Sequence, residues 1–287
     1  MKAIYKKEVK SYLTSMIGYV FIFFILLLEG IYFTAYNLQN AYPLFGTTLS
    51  AVTFIFLILV PILTMRVLAE ERKQKTDQLL LTAPVSVSEI VLGKFLAVAT
   101  VYAIPVLIIC LYPMIMGKYG TVSYAMAYTA VLGFALLGFA QIAVGVFWSS
   151  VTENPVIAAV VTFIVLFVCY MITGIGSLIP DSSMASLACY MLLVLLAAVW
   201  IYHMIRNLWI AAVIGIAGEA ALAITYVVKS TLFEGSIQKF LSVFDITSHF
   251  DNFTNGILDL QGVVYFLSVI IIFLVLTVQT ITKRRWN

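Results

Sequence analysis

Residues 65–94 read MRVLAEERKQKTDQLLLTAPVSVSEIVLGK. This is the longest polar break in the N-terminal half of the chain, and apolar runs long enough to span a bilayer flank it. Glu71 and Lys75 stand four apart with the acid first, the favourable order for a helical pair. Leu68, Leu79, Leu80 and Leu81 supply an apolar side, so the pattern predicts a helix over about 68–81. Thr82-Ala83-Pro84 ends it, because proline disfavours helical backbone in the residue before it. Ser86-Val87-Ser88-Glu89 then fits the S-x-x-E capping box, with Val85 just ahead, and starts a second helix at a defined place. A solvated connector needs no such punctuation. The mixed charge suits the grip of a partner protein better than contact with lipid.

The rest of the chain is built for a membrane. Its 287 residues are 63% hydrophobic and 10% charged, with a mean hydropathy of +1.09. Soluble domains carry about 25% charged residues, so this composition defines a polytopic, all-α membrane protein. Enzyme classes drop out on motif grounds. There is no P-loop, no H-E-x-x-H, no G-x-S-x-G and no C-x-x-C, and no polar segment is long enough for a nucleotide-binding domain. Cys110, Cys169 and Cys189 lie far apart in apolar runs and read as space-filling thiols. No catalytic residue, metal site, resident cofactor or nucleic-acid partner is expected. The apolar stretch at 17–33 is too long for a signal peptide's core and no A-x-A site follows it, so it reads as a span.

About eight crossings are expected, near 17–35, 47–65, 90–116, 124–148, 155–178, 184–205, 208–228 and 262–282. Lys2, Lys6, Lys7, Lys10, Arg66, Arg72, Lys73, Lys75, Lys94, Arg206, Lys283, Arg284 and Arg285 collect on one side. Only Lys118, Lys229 and Lys239 fall on the other. The positive-inside rule makes the first side cytoplasmic, with both termini inside a plasma membrane. The segments 184–205 and 208–228 are joined by almost no loop, and six crossings result if they do not both span.

Smaller features follow. In residues 1–16, Tyr5, Val9, Tyr12, Leu13 and Met16 form one helical face with the lysines mostly off it, an amphipathic helix for the inner leaflet. Glu29 and Glu219 are ionisable groups at bilayer depth. With Gln141 they are candidates for a polar lining, while Glu29 also lies near enough to the outer end to snorkel or take a local hydrogen bond. Gly138, Gln141 and Gly145 share a face where helices can approach closely. Glu153 and Asn154 sit in a short turn, a second candidate contact for a cytoplasmic partner, with Asn154 as N-cap and Pro155 in the first helical turn. Residues 229–261 form the largest outward segment. Phe233, Ile237, Phe240, Leu241 and Phe244, then Phe250, Phe253 and Ile257, predict two short helices in the outer leaflet.

Two stretches together carry a resemblance. One is E-R-x-x-x-T-x-x-L-L-L-T-x-P-V-S-x-x-E-I-V-L-G-K, ending at Lys94. The other is H-F-D-N-F-x-x-G-I-L-D-L at 249–260, which includes His249, Phe250, Asp251 and Asp259. With the leading surface helix, they resemble the permease subunit of ABC-2 type ABC transporters, in the branch of gliding-motility and nitrous-oxide-reductase-maturation permeases. The resemblance implies one bacterial transmembrane domain over 1–287 and a coupling helix within 71–89 that docks on a separate ATPase. The residues it points to are Glu71, Arg72, Thr76, Leu79, Leu80, Thr82, Pro84, Ser86 and Glu89. It implies two ATPase chains, which bind ATP and Mg²⁺, and two permease chains. The chain departs from the family pattern in having Lys75-Thr76 where Gly-Thr is frequent and Gln78 where an acid is frequent. A six-span family core makes 184–228 read as an added hairpin. Three functions compete: an ATP-driven exporter, a scaffold that transmits ATPase motion to an extracytoplasmic or membrane accessory protein, and a secondary transporter lined by the buried polar residues.

Overall fold

A computed structural model describes residues 1–77, 85–205 and 207–285. The described residues are helical and fall into two compact units, Met1–Val168 with Ile246–Asn287, and Cys169–Asp245.

The first unit opens with α1 (Lys2–Thr14) and α2 (Met16–Tyr32), which continues as a π-helical segment, Phe33–Gln39. A Cβ on Gly18 would lie 2.3 Å from the carbonyl oxygen of Tyr12, so the α1–α2 corner closes only over a glycine. Next come α3 (Phe45–Thr53), α4 (Phe56–Thr64) and α5 (Ala69–Lys73). The long helices α6 (Val87–Ile109) and α8 (Tyr124–Val151) are separated by the short α7 (Tyr112–Met116). The helix α9 (Pro155–Ser177) starts in this unit and runs into the other.

In the second unit α10 (Ser183–Ile205) packs along α11 (Leu208–Val228) as a hairpin. A 3₁₀ turn, Ser230–Phe233, and α12 (Ser236–Ser242) follow. The chain then returns to the first unit through a second 3₁₀ turn, Ser248–Phe250, α13 (Asp251–Thr254) and α14 (Leu260–Arg285).

Among the described residues, five stretches are long and apolar enough to cross a bilayer: Met16–Gln39, Val87–Met116, Tyr124–Val151, Pro155–Ser177 and Leu260–Arg284. Two bent pairs raise the number to seven, against the eight expected. The second expected span is the first pair, α3 and α4, bent by 60°. Around the break the backbone switches to i→i+3 bonds, from Leu57 to Phe54 and from Ile58 to Ile55. Pro61 also leaves the Leu57 carbonyl without its usual i+4 donor. The other bent pair, Ala212–Val228 with Ser230–Ser242, turns through 116°. The described apolar part of α10, Ser183–Val199, is short.

The core of the first unit gathers on α8. Ideal Cβ positions at Gly138 and Gly145 would fall 2.3 Å from the Tyr102 ring and 2.2 Å from Thr64 Oγ1. The expected small-residue face therefore packs within the chain, against α6 and α4. Tyr102 is fully buried and its hydroxyl donates to the Phe134 carbonyl at 2.7 Å. At the other end of α8, Gly133 admits the ring of Phe253. The residues 229–261 thus form several short pieces rather than two surface helices. Phe250 and Phe253 are buried core anchors, not groups dipping into lipid, whereas Phe240, Phe244 and Ile257 remain exposed.

The helix α1 also differs from expectation. Its stripe turns toward α6 instead of lying only on lipid: Tyr12 is buried and the Tyr5 hydroxyl meets Thr100 Oγ1 at 3.0 Å. Met16, expected on the same stripe, is exposed at the start of α2.

Candidate functional site

Lys94 lies two turns into α6 and is only 1% exposed, although it carries a charge. Burying an ammonium is tolerable when each N–H finds an acceptor. Its Nζ donates to Glu8 Oε1 of α1 at 3.0 Å and to the Val67 carbonyl at 2.8 Å, and pairs with Glu71 Oε2 of α5 at 2.9 Å. Three donors meet three acceptors from three parts of the chain. The second Glu71 oxygen takes Lys7 Nζ at 3.3 Å, an exposed and therefore weak bond. Tyr12 adds a further tie by donating to the Leu63 carbonyl at 3.0 Å, and burial pushes its phenol pKa up, which keeps the proton in place.

Of the predicted 68–81 helix, Ala69–Lys73 forms, a turn follows at residues 74–76, and Asp77, the last residue described before 85, is helical again. The helix α5 ends in a Schellman motif. The amide of Thr76 reaches the Glu71 carbonyl at 2.9 Å, and that of Lys75 reaches the Arg72 carbonyl at 3.1 Å. Lys75 is the residue in the left-handed conformation, at φ 57°. This is the position where glycine is favoured, so Lys75 holds a backbone conformation that a side chain makes costly. The predicted Glu71–Lys75 pair does not form, because the helix has ended and Glu71 serves Lys94 and Lys7.

The other side of α5 is held by α8. Ser149 Oγ accepts from the amides of Leu68 and Ala69, each at 3.1 Å, and donates to the Met65 carbonyl at 3.1 Å. One hydroxyl thus satisfies two orphan donors at the start of α5. Arg72 spans to the turn after α8, donating to the Val151 carbonyl at 2.9 Å and pairing with Glu153 at 2.6 Å. Arg284 of α14 donates to the same carbonyl at 3.0 Å. Two guanidinium groups therefore meet at the negative end of the α8 dipole. Arg66 and Glu70 form a bidentate pair, with Arg66 Nη2 to Glu70 Oε1 at 2.7 Å. Their hydrogen bonding lowers the Glu70 pKa and raises that of Arg66.

The structure thus brings Glu71, Arg72 and Thr76 together with Glu153, from separate stretches of sequence. Asn154 caps α9, accepting from the Val156 amide at 3.0 Å. Ser86 caps α6, accepting from the Glu89 amide at 3.3 Å. Leu79, Leu80, Thr82 and Pro84, and Gln78 with them, lie outside the described residues. Sequence reasoning missed Glu8 and Ser149, and it read Lys94 as one of the cytoplasmic-side charges and the end of a motif, not as the centre of a buried ion cluster. A lysine among Ile90, Val91, Leu92 and Phe95 is a buried-pair signal that hydropathy alone does carry.

Other candidates sit elsewhere. Glu29 is 0% exposed, with no hydrogen-bond partner for either carboxyl oxygen among the described residues. It is buried without the expected local hydrogen bond and does not reach solvent, and Phe33, one turn further on, packs with Phe45 and Tyr112. Gln141 is buried, its Oε1 also unpartnered. Glu219 belongs to the second unit. Near Phe250, the His249 ring stacks on Tyr265 with centroids 3.7 Å apart. Asp259 Oδ1 accepts the Gln261 amide at 2.9 Å and so caps α14, and the bond from Asn252 to its other oxygen helps hold its pKa low. Asp251 begins α13, and its carbonyl accepts from Thr254 and Asn255.

A bundle with several helices long and apolar enough to span a bilayer, and a polar elbow tied into them, is the frame of a multi-pass membrane protein. The chain belongs to the ABC-2 family of transporter proteins, whose family model matches residues 2–284. No curated protein matches it. Members of this family are in general the non-catalytic membrane component of an ABC transporter, and membership implies a partner ABC ATPase.

Proposed function

We propose that the chain is the permease subunit of an ATP-driven exporter in a bacterial cytoplasmic membrane, with both termini inside. A separate ATPase docks on residues 65–94, with Glu153 and Asn154 as a second contact. Two ATPase chains bind ATP and Mg²⁺ and work on a pair of permease chains. The observation that carries this reading is the way the elbow is tied: Lys94, Ser149 and the shared Val151 carbonyl join it to α1, α6, α8 and α14. A push on so connected an element moves helices as rigid bodies instead of being absorbed by a loop.

The test is ATP hydrolysis by an ABC ATPase that co-purifies with the chain, reconstituted in nanodiscs with wild-type permease or with residues 79–82 deleted. Loss of permease-dependent hydrolysis in the deletion is expected. Unchanged coupling sinks the docking role.

A second reading rests on α8, which holds the elbow at Ser149 and the Phe253 segment at Gly133. In that reading ATPase motion is passed to an extracytoplasmic partner seated near 248–254, with no cargo moved. ATP-dependent flux into proteoliposomes separates the two.

A further inference from the structure

In the hairpin of the second unit, α11 lies close on α10. A Cβ on Gly218 would come within 2.8 Å of Val194 Cγ1, and one on Gly215 within 3.2 Å of the Ala198 Cβ. Beside this seam runs a groove of about 630 Å³. Its walls include Leu195, Val199 and Tyr202 of α10 and Ile216, Glu219 and Ala223 of α11. The lining is almost wholly apolar, and the one acidic group in it is Glu219. Both of its carboxyl oxygens are shielded from solvent, and neither has a hydrogen-bond partner among the described residues.

We propose that this groove binds a lipophilic cation: a drug-sized molecule with ring or short-chain hydrocarbon and one positively charged nitrogen or phosphorus centre. The volume lies within the usual range for pockets that enclose such ligands, and an apolar wall with a single placed polar group is their usual chemistry. Glu219 selects the sign. Its two carboxyl oxygens have no partner of their own among the described residues, and a cation in the groove supplies one while its hydrocarbon covers the walls. An anionic amphiphile would add like charge, and a neutral lipid chain would fill the groove but leave the carboxyl alone. A second copy of the same hairpin would offer the carboxyl either apolar wall or its own twin. The proposal does not rest on the ATPase reading, since binding to the isolated permease is measured without ATP.

The test uses the full chain in phosphatidylcholine nanodiscs, titrated with rhodamine 6G and followed by fluorescence anisotropy, with empty nanodiscs as the blank and Nile red as the uncharged probe. Wild type is expected to bind rhodamine 6G saturably, with tetraphenylphosphonium competing. Glu219→Gln is expected to weaken rhodamine 6G about tenfold or more while leaving Nile red unchanged, since a charge-assisted partner is lost and the shape is kept. Nile red binding also reports that this variant retains its groove. Ala223→Leu, which fills the groove, is expected to weaken both probes. The proposal is overturned if wild type shows no saturable binding, if Glu219→Gln binds the cation as wild type does or loses both probes equally, or if Ala223→Leu leaves both unaffected.

Discussion

Replacing Lys94 by methionine keeps most of the side chain's length and removes its charge. In the native protein three acceptors converge on Nζ at 2.8, 2.9 and 3.0 Å. Without it, Glu8 and Glu71 face each other across an apolar side chain, with side-chain exposures of only 12% and 16%. Removing one partner of a buried pair costs about 3–5 kcal/mol, most of it the penalty of the stranded charge. Lys7 still reaches Glu71 at 3.3 Å, and both acids keep an edge toward water, so about 3 kcal/mol is the expected loss. The loss falls on the docking of α1 and α5 rather than on the whole bundle. Hydrogen exchange in nanodiscs reads it directly. Amides of α5 and of the α1 face that opens with it are expected to exchange about 150-fold faster, since each 1.36 kcal/mol is tenfold. Exchange in the middle of α8 is expected to stay as it was. Adding Glu8→Gln to the methionine variant removes one stranded charge and is expected to restore part of the protection. Wild-type exchange rates in Lys94→Met, or a double variant worse than the single, would refute the assignment of Lys94 as the tie between these helices.

Ser149→Ala strands the amides of Leu68 and Ala69 and is expected to cost about 2–6 kcal/mol in reversible unfolding, at about 1–3 kcal/mol for each lost partner; a change below about 0.5 kcal/mol would contradict the arrangement. Lys75→Gly relieves a left-handed backbone in a side-chain-bearing residue and is expected to stabilise the protein by about 1 kcal/mol, read as a raised unfolding midpoint. The Glu70 pKa is depressed by Arg66, so the pair's contribution is complete at neutral pH and is lost as the pH falls below the usual carboxylate value of 4.5 toward the folded one. An acid titration of stability in that window is expected to be shallower in Glu70→Gln than in wild type.

Much of this architecture is legible in a single sequence. Apolar runs locate the long helices, and Ser86 and Asn154 cap them where their side-chain oxygens predict. Packing at Gly138 and Gly145 follows from their spacing on one face. What escapes has a common cause: it depends on which distant residues meet. Glu8 and Lys94 are 86 positions apart, and nothing local to either announces the other. Ser149 looks like a turn residue until the start of α5 is laid against it. The early end of α5 escapes for a different reason. Lys75 is an ordinary helix former, and only the backbone reveals that it occupies a glycine's conformation. Hydropathy likewise reports how greasy a span is and not whether it bends, so the 60° break between α3 and α4 is invisible to it. The phenylalanines of the 249–254 stretch look like membrane anchors because the cavity that receives one of them is made by an absent side chain, at Gly133.

The helix α8 runs for 28 residues without a proline, about 42 Å at the usual rise. It is gripped at Ser149 near one end and at Gly133 toward the other, and between them Gly138 and Gly145 press against Tyr102 and Thr64. That makes it a beam resting on a narrow fulcrum. Tilted by about 5° about Gly138, the far arm of about 21 Å carries its tip through about 2 Å. The fulcrum gives no such clearance, since contacts this tight repack in steps and do not slide. The two faces of the bilayer are therefore joined by something closer to a toggle than a spring, with its set points fixed where two glycines meet a tyrosine and a threonine.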